Sequence, residues 1–151
     1  MISSRGSDDE ILSLFRSRGF RVTPQRMAVA RLVLRTEGHP SARRIHEEAR
    51  RMHPSMSLTT VYKTIKILKE AGVVLELSST NGERRFDPVT EPHAHLVCLR
   101  CGRISDWRDP ALPELLRDIE EGSGFIADGL EIYGTCSRCE KGAKLQMKDA
   151  I

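Results

Sequence analysis

The sequence is poor in aromatics, at 5%, and has no apolar run approaching the roughly 20 residues needed to cross a bilayer. Its N-terminus, MISSRGSDDEIL, lacks the apolar core of a signal peptide. These absences predict a cytoplasmic protein without a membrane partner, in a compartment that disfavours disulfides. No internal repeat or low-complexity tract is present. Cysteine and histidine are scarce, four and five residues, yet the stretch EPHAHLVCLRCG, Glu91 to Gly102, holds two of each. Such concentration of scarce metal-binding types raises the question of whether this is one metal site or the meeting point of two.

A chain of 151 residues accommodates one domain or two small ones. The net charge of +3 conceals a division. Residues 1–90 carry 16 Lys+Arg against 10 Asp+Glu, net +6, whereas residues 91–151 carry 8 against 11, net −3. The basic half is the candidate for contact with a polyanion.

That half reads as successive helices. DDEILSLFRSRGF starts with acidic residues, spaces Ile11, Leu12 and Phe15 helically and stops at Gly19. VTPQRMAVARLVLRTEG has Thr23 as N-cap, Pro24 at the first helical position and Gly38 past the end. His39 precedes Pro40 and so belongs to a loop. Ser41 then caps a third helix, buried through Ile45, Ala49 and Met52. SLTTVYKTIKILKEAGVV is the fourth, capped by Ser57 and closed by Gly72, with Val61, Ile65 and Leu68 facing the core. VVLELSS, the turn signal Asn81-Gly82 and ERRFD follow as a short hairpin. Helices followed by such a wing form the winged helix-turn-helix pattern.

PVTEP, residues 88–92, reads as a hinge between a domain spanning 1–87 and another spanning 93–151. In the latter, HAHLVC and RISDW are predicted strands. PALPELLRDIEEGSG is a predicted helix with Leu112, Leu115, Leu116 and Ile119 on its buried side. FIADGLEIYGTC returns as strand, and the last ten residues read as frayed. The fold class is therefore α+β, a winged helix-turn-helix domain followed by a small α/β domain.

Cys98/Cys101 and Cys136/Cys139 are two C-x-x-C pairs. Tetrahedral zinc takes four thiolates, and four protein ligands make the zinc structural rather than catalytic. Reduced buried thiols or a redox dithiol are the competing readings; pairing of all four cysteines at one spacing favours metal. His93 and His95, two apart, project from one face of a strand and Cys98 from the other. Near them in sequence or on the adjacent strand stand Asp87 and Asp106, and His39 occupies the helical domain's loop. Mixed imidazole and carboxylate ligands suit Fe(II), Mn(II) or Zn(II), and ligands from both domains would make binding a conformational event. His46 and His53, without sequence-adjacent partners, read as surface residues. Thr59, Tyr62, Lys63 and Lys66 line the outward face of the fourth helix and are types that reach phosphates and base edges. Arg21, Arg26 and, in the wing, Arg85 add phosphate contacts.

RVTPQR, HPSA, SLTTVYKTIKILKEAGVV, RFD, HAHLVCLRCG and EIYGTCSRC, in this order, resemble the ferric uptake regulator (Fur) family over nearly the whole chain. The resemblance implies a homodimeric repressor of a palindromic double-stranded operator, with the C-terminal domain dimerising. It implies zinc on Cys98, Cys101, Cys136 and Cys139, and a regulatory Fe(II) or Mn(II) on His39, Asp87, His93, His95 and Asp106. Aspartate at 106, where iron-responsive members typically have glutamate, resembles the peroxide-responsive PerR branch. Pro92 and Ala94, where iron-responsive members often carry further ligands, point the same way. In that branch Fe(II) reduces peroxide and the oxidant attacks a ligating histidine, here His39 or His93. Iron-responsive and zinc-responsive repressors are the alternatives within the family. Outside it stand a non-haem iron enzyme, which five protein ligands disfavour, and a zinc-ribbon interaction module, which the basic half disfavours.

Overall fold

The computed structural model describes residues 6–78, 82–88, 91–127 and 129–148. The chain divides into two compact units, one holding the helices up to Ser78 with the hairpin strand after Gly82, the other beginning at Glu91.

In the first unit, α1 (Asp8–Ser17) opens on a reciprocal cap. Ser7 Oγ accepts from the Glu10 N–H (3.2 Å), and Glu10 Oε2 accepts from the Ser7 N–H (2.6 Å). Three acidic residues in the first turn complement the helix dipole. α2 (Pro24–Arg35), α3 (Ala42–Met52) and α4 (Leu58–Glu70) begin after the predicted caps Thr23, Ser41 and Ser57, whose side chains each accept an N–H three residues on. Gly72 has a left-handed φ of 71°, so the chain leaves α4 at a residue that tolerates that conformation. β1 (Val74–Leu77) and β2 (Arg85–Pro88) pair antiparallel as the wing. Asn81 of the predicted turn lies outside the described residues, as do residues 89 and 90 of the predicted hinge. The core joins Ile11 and Phe15 of α1, Val29 and Val33 of α2, Ile45 and Ala49 of α3, Val61, Ile65 and Leu68 of α4, and Phe86 of β2.

Met52 corrects the sequence reading: it is 62% exposed. The helix ends there, and the buried methionine is Met56 in the following turn.

α1 is held to α2 by a carboxylate between two guanidiniums. Asp8 accepts from Arg31 (2.9 and 2.7 Å) and from Arg35 (2.7 Å), and Arg35 also donates to the Gly6 carbonyl (2.8 Å). The hydrogen bonds from Arg31, then Arg35, lower the Asp8 pKa from 3.8 to about 2. Because the folded value lies below the unfolded one, this latch contributes above pH ~4 and is lost as pH falls toward 2. Amide protection in residues 8–17, measured against the intrinsic exchange rate, is expected to fall over that acid window, and in Asp8→Asn to be lower already at neutral pH. Exchange unchanged in the variant would remove Asp8 as the latch.

In the second unit, β3 (Ala94–Cys98), β4 (Ile104–Trp107) and β5 (Leu130–Gly134) form a sheet in the order β4-β3-β5, β3 antiparallel to β4 and parallel to β5. α5 (Leu112–Ser123) connects β4 to β5. Three expectations are corrected. Residues 125–127 are not strand: Phe125 N–H donates to Ser123 Oγ (3.1 Å) and Ala127 N–H to Glu120 Oε1 (3.0 Å), which keeps this segment at the end of α5. The predicted buried side of α5 is only partly so. Leu112 is buried and Leu116 half-buried, but Leu115 is 48% and Ile119 40% exposed. Cover for them is not supplied by the described residues of the same chain. The C-terminal segment expected to fray forms α6 (Ser137–Lys148), an outcome consistent with the helix-forming run AKLQMK; residues 149–151 lie outside the described set. Among the described residues no helix is long and apolar enough to cross a membrane.

Candidate metal and DNA-contact sites

Each C-x-x-C pair lies at a strand end. Cys98 closes β3, and the chain turns tightly after it, with Gly102 N–H donating to the Cys98 carbonyl (2.9 Å). Gly102 takes a φ of 69°, a conformation that glycine adopts without a Cβ penalty. Cys136 follows β5 and Cys139 lies in the first turn of α6. Because β5 runs parallel to β3 with Cys98 opposite Gly134, both pairs reach the same end of the sheet. All four thiols converge, their sulfurs within 4.8 Å of one another, and none forms a disulfide.

The Cys101 and Cys136 sulfurs are 3.8 Å apart. Sulfurs about 2.3 Å from a tetrahedral zinc lie about 3.8 Å from each other, so the cluster fits that ion. Its electrostatics favour thiolate at Cys98 and Cys136 and the protonated thiol at Cys139. The Cys136 N–H, then that of Cys101, holds the Cys98 thiol down to about 6. Cys136 is lowered chiefly by the Cys139 N–H. Cys139 is pushed up to about 12 because Cys136, then Cys101, accepts a hydrogen bond from its thiol. A cation among the sulfurs would displace that proton.

The histidine cluster occupies the other face of β3. His95 lies opposite Asp106 in the β3–β4 ladder, and cross-strand partners share a face. His93 Nε2 and His95 Nε2 stand 3.0 Å apart, with Asp106 Oδ1 3.7 and 3.9 Å from them. Cis ligands about 2.1 Å from an octahedral metal lie about 3.0 Å apart, so the two imidazoles fit as adjacent ligands. One contact was invisible to sequence reasoning. His93 Nδ1 meets the Glu91 carbonyl at 2.9 Å. A carbonyl only accepts, so Nδ1 carries a proton, and in the neutral ring that leaves the Nε2 lone pair facing the cluster.

The first unit contributes the pair His39 Nε2 and Asp87 Oδ1, 3.4 Å apart with both side chains largely buried. Local pairing explains it. The loop holding His39 lies along β2: Phe86 N–H donates to the Pro40 carbonyl (3.1 Å), Arg85 Nη1 to the His39 carbonyl (3.2 Å), and Ser41 bridges Arg85. Arg85 also pairs with Glu83 (3.1 Å), so its guanidinium already has a structural task. His46 corrects its surface reading. It is half-buried, and its Nε2–H donates to the Met56 carbonyl (2.9 Å), tying α3 to the turn before α4. His53 is half-buried as the residue that ends α3.

On α4, Val61, Ile65 and Leu68 are buried while Thr59, Tyr62, Lys63 and Lys66 are exposed on the opposite face. Lys66 pairs loosely with Glu70 (3.6 Å). Arg21 is exposed; Arg26 is half-buried, donates to the Arg21 carbonyl (2.6 Å) and lies over the Phe20 ring.

Comparison with known proteins agrees with this layout. The chain is 37% identical over 134 residues to the peroxide operon regulator of Bacillus subtilis, spanning 87% of this chain and 92% of that one. It is 34% identical over the same length to the peroxide-responsive repressor PerR of Staphylococcus aureus, spanning 87% and 90%. The Helicobacter pylori ferric uptake regulator Fur shares the fold, with a TM-score of 0.76 at 21% identity over 92% of this chain and 97% of that one. The family model for the ferric uptake regulator family matches residues 17–133, and the chain belongs to that family.

Proposed function

We propose that this protein is a dimeric, metal-dependent repressor that binds double-stranded DNA and responds to peroxide through oxidation of a ligating histidine. The observation that carries the reading is the convergence of His93 Nε2, His95 Nε2 and Asp106 Oδ1, with the His93 tautomer fixed by the Glu91 carbonyl. His39 and Asp87 of the winged-helix unit complete a five-ligand regulatory site with them for Fe(II) or Mn(II), so that metal couples the DNA-binding half to the C-terminal half. Fe(II), when held there, would supply the reducing power for peroxide. His39 and His93, as ligands, would be the imidazoles exposed to the resulting oxidant, and an oxidised imidazole would be a poorer ligand. Zinc on Cys98, Cys101, Cys136 and Cys139 is structural, since four thiolates leave no open position.

The second copy is supported by the α5 face: Leu115 and Ile119, together with Trp107 and Ile132 of the sheet, are large apolar side chains exposed on one chain. A two-fold dimer presents two α4 helices and therefore suits a palindromic operator. Thr59, Tyr62, Lys63 and Lys66 enter the groove, and Arg21, Arg26 and Arg85 are the phosphate candidates. Such a protein works in the cytoplasm, and five protein ligands leave little room for a substrate, which sets the repressor reading above that of a non-haem iron enzyme.

Mass spectrometry after mild peroxide treatment tests the reading. The Fe(II) protein is expected to gain one oxygen atom on the peptide containing His39 or His93 and to release DNA, and the Mn(II) protein to do neither. Equal behaviour of both forms, without oxidation, would replace the peroxide response by an iron-responsive or zinc-responsive one.

A further inference from the structure

Leu58 is the first residue of α4 and is 40% exposed. Tyr62, one turn on, is 49% exposed. At about 100° per residue the two lie about 40° apart, along one edge of the face that carries Thr59, Lys63 and Lys66. A single exposed leucine on an ordinary helix needs no explanation. This one stands at the N-terminal end of a recognition helix, where side chains meet base edges.

Two hydroxyls near it are already used. Ser57 Oγ accepts from the Thr60 N–H (3.1 Å) and lies 2.9 Å from Thr60 Oγ1, so both hydroxyls are engaged in capping. Leu58 therefore presents an apolar surface at the tip of the helix, about 100° round from the Thr59 hydroxyl. In the major groove only thymine offers an apolar group, its C5-methyl, whereas the other bases present donors or acceptors that a leucine would desolvate without replacement.

We infer that Leu58 packs against a thymine methyl and so specifies one thymine in each half-site of the operator. The inference rests on the DNA-binding reading above and adds a base identity to it. The probe is a duplex enriched from a randomised pool by the Mn(II)-loaded wild-type protein, then resynthesised with deoxyuridine replacing one thymine at a time. Uracil lacks only the methyl.

At one thymine per half-site, uracil is expected to weaken wild-type binding about fourfold, the equivalent of about 0.8 kcal/mol for one buried methyl. Leu58→Ala should bind the thymine and uracil duplexes equally, and Leu58→Met should retain the preference. A Leu58→Ala protein that keeps the fourfold preference, or a wild type indifferent to uracil at every thymine, overturns the assignment while leaving DNA binding intact. Failure of the wild type to enrich any sequence overturns the recognition reading itself, and the role of Leu58 with it.

Discussion

Replacing Cys136 by serine is expected to unfold the C-terminal unit and abolish the dimer while the N-terminal helices stay folded. The two units differ in how much apolar core they own. The winged-helix unit encloses a cluster running from Ile11 through Phe86. Among the described residues beyond Glu91, the buried apolar side chains are Ala94, Val97, Cys98 and Leu112. Such a core contributes little against the conformational entropy of ordering three strands and two helices. Structural zinc sites supply about 10–16 kcal/mol of apparent binding energy in small peptides, comparable to the whole stability of a typical domain. Serine leaves three thiolates around an ion that prefers four. Circular dichroism should therefore lose the sheet and keep a helical melting transition, and sedimentation should report a monomer. Prolonged chelation of the wild type should give the same pair of results. A Cys136→Ser protein that sediments as a dimer with an unchanged melting temperature would refute the structural role of the cluster.

What could be read from the sequence was local. Thr23, Ser41 and Ser57 cap helices through their own side chains, and Gly72 ends α4 through its own backbone, so a few adjacent residues suffice to identify them. The four cysteines declared themselves by spacing, and the His93–His95 relation follows from the period of a strand. Misreadings arose where a distant or external surface decides. Leu115 and Ile119 have the pattern of a buried face, but periodicity does not say whether the cover comes from the same chain. Met52 fits the helical stripe of α3, yet the helix stops there and Met56 is buried instead. The Asp8 latch joins residues 23 and 27 positions apart, and the contact of His93 with the Glu91 carbonyl uses the main chain, which carries no residue-type signal.

A His39→Ala protein is expected to bind DNA about as weakly with Mn(II) as the wild type does at roughly hundredfold lower metal, and to lose peroxide-triggered release. Metal can act as corepressor only through its preference for the DNA-binding arrangement, and moving a population from 1:99 to 99:1 takes about 5.5 kcal/mol of that preference. Loss of an outer-shell partner alone costs about 10–100-fold in metal affinity, and a direct ligand costs at least as much. The upper figure is about 2.7 kcal/mol, half of the available preference, which returns the population to about 1:1. Histidine 39 acts with Asp87, 3.4 Å away, so Asp87→Ala should resemble it and the double variant should fall only slightly further. The buried partner left behind explains why the effects do not add: a carboxylate without its imidazole, or the reverse, no longer presents the metal with a fixed pair. Titrating Mn(II) against operator binding for all three variants separates this from a folding defect, because a folded variant still gains operator affinity with metal but levels off at a lower plateau than the wild type. If His39→Ala required metal at the wild-type midpoint and still released DNA with peroxide, the regulatory site would have to be built from His93, His95 and Asp106 without the N-terminal unit.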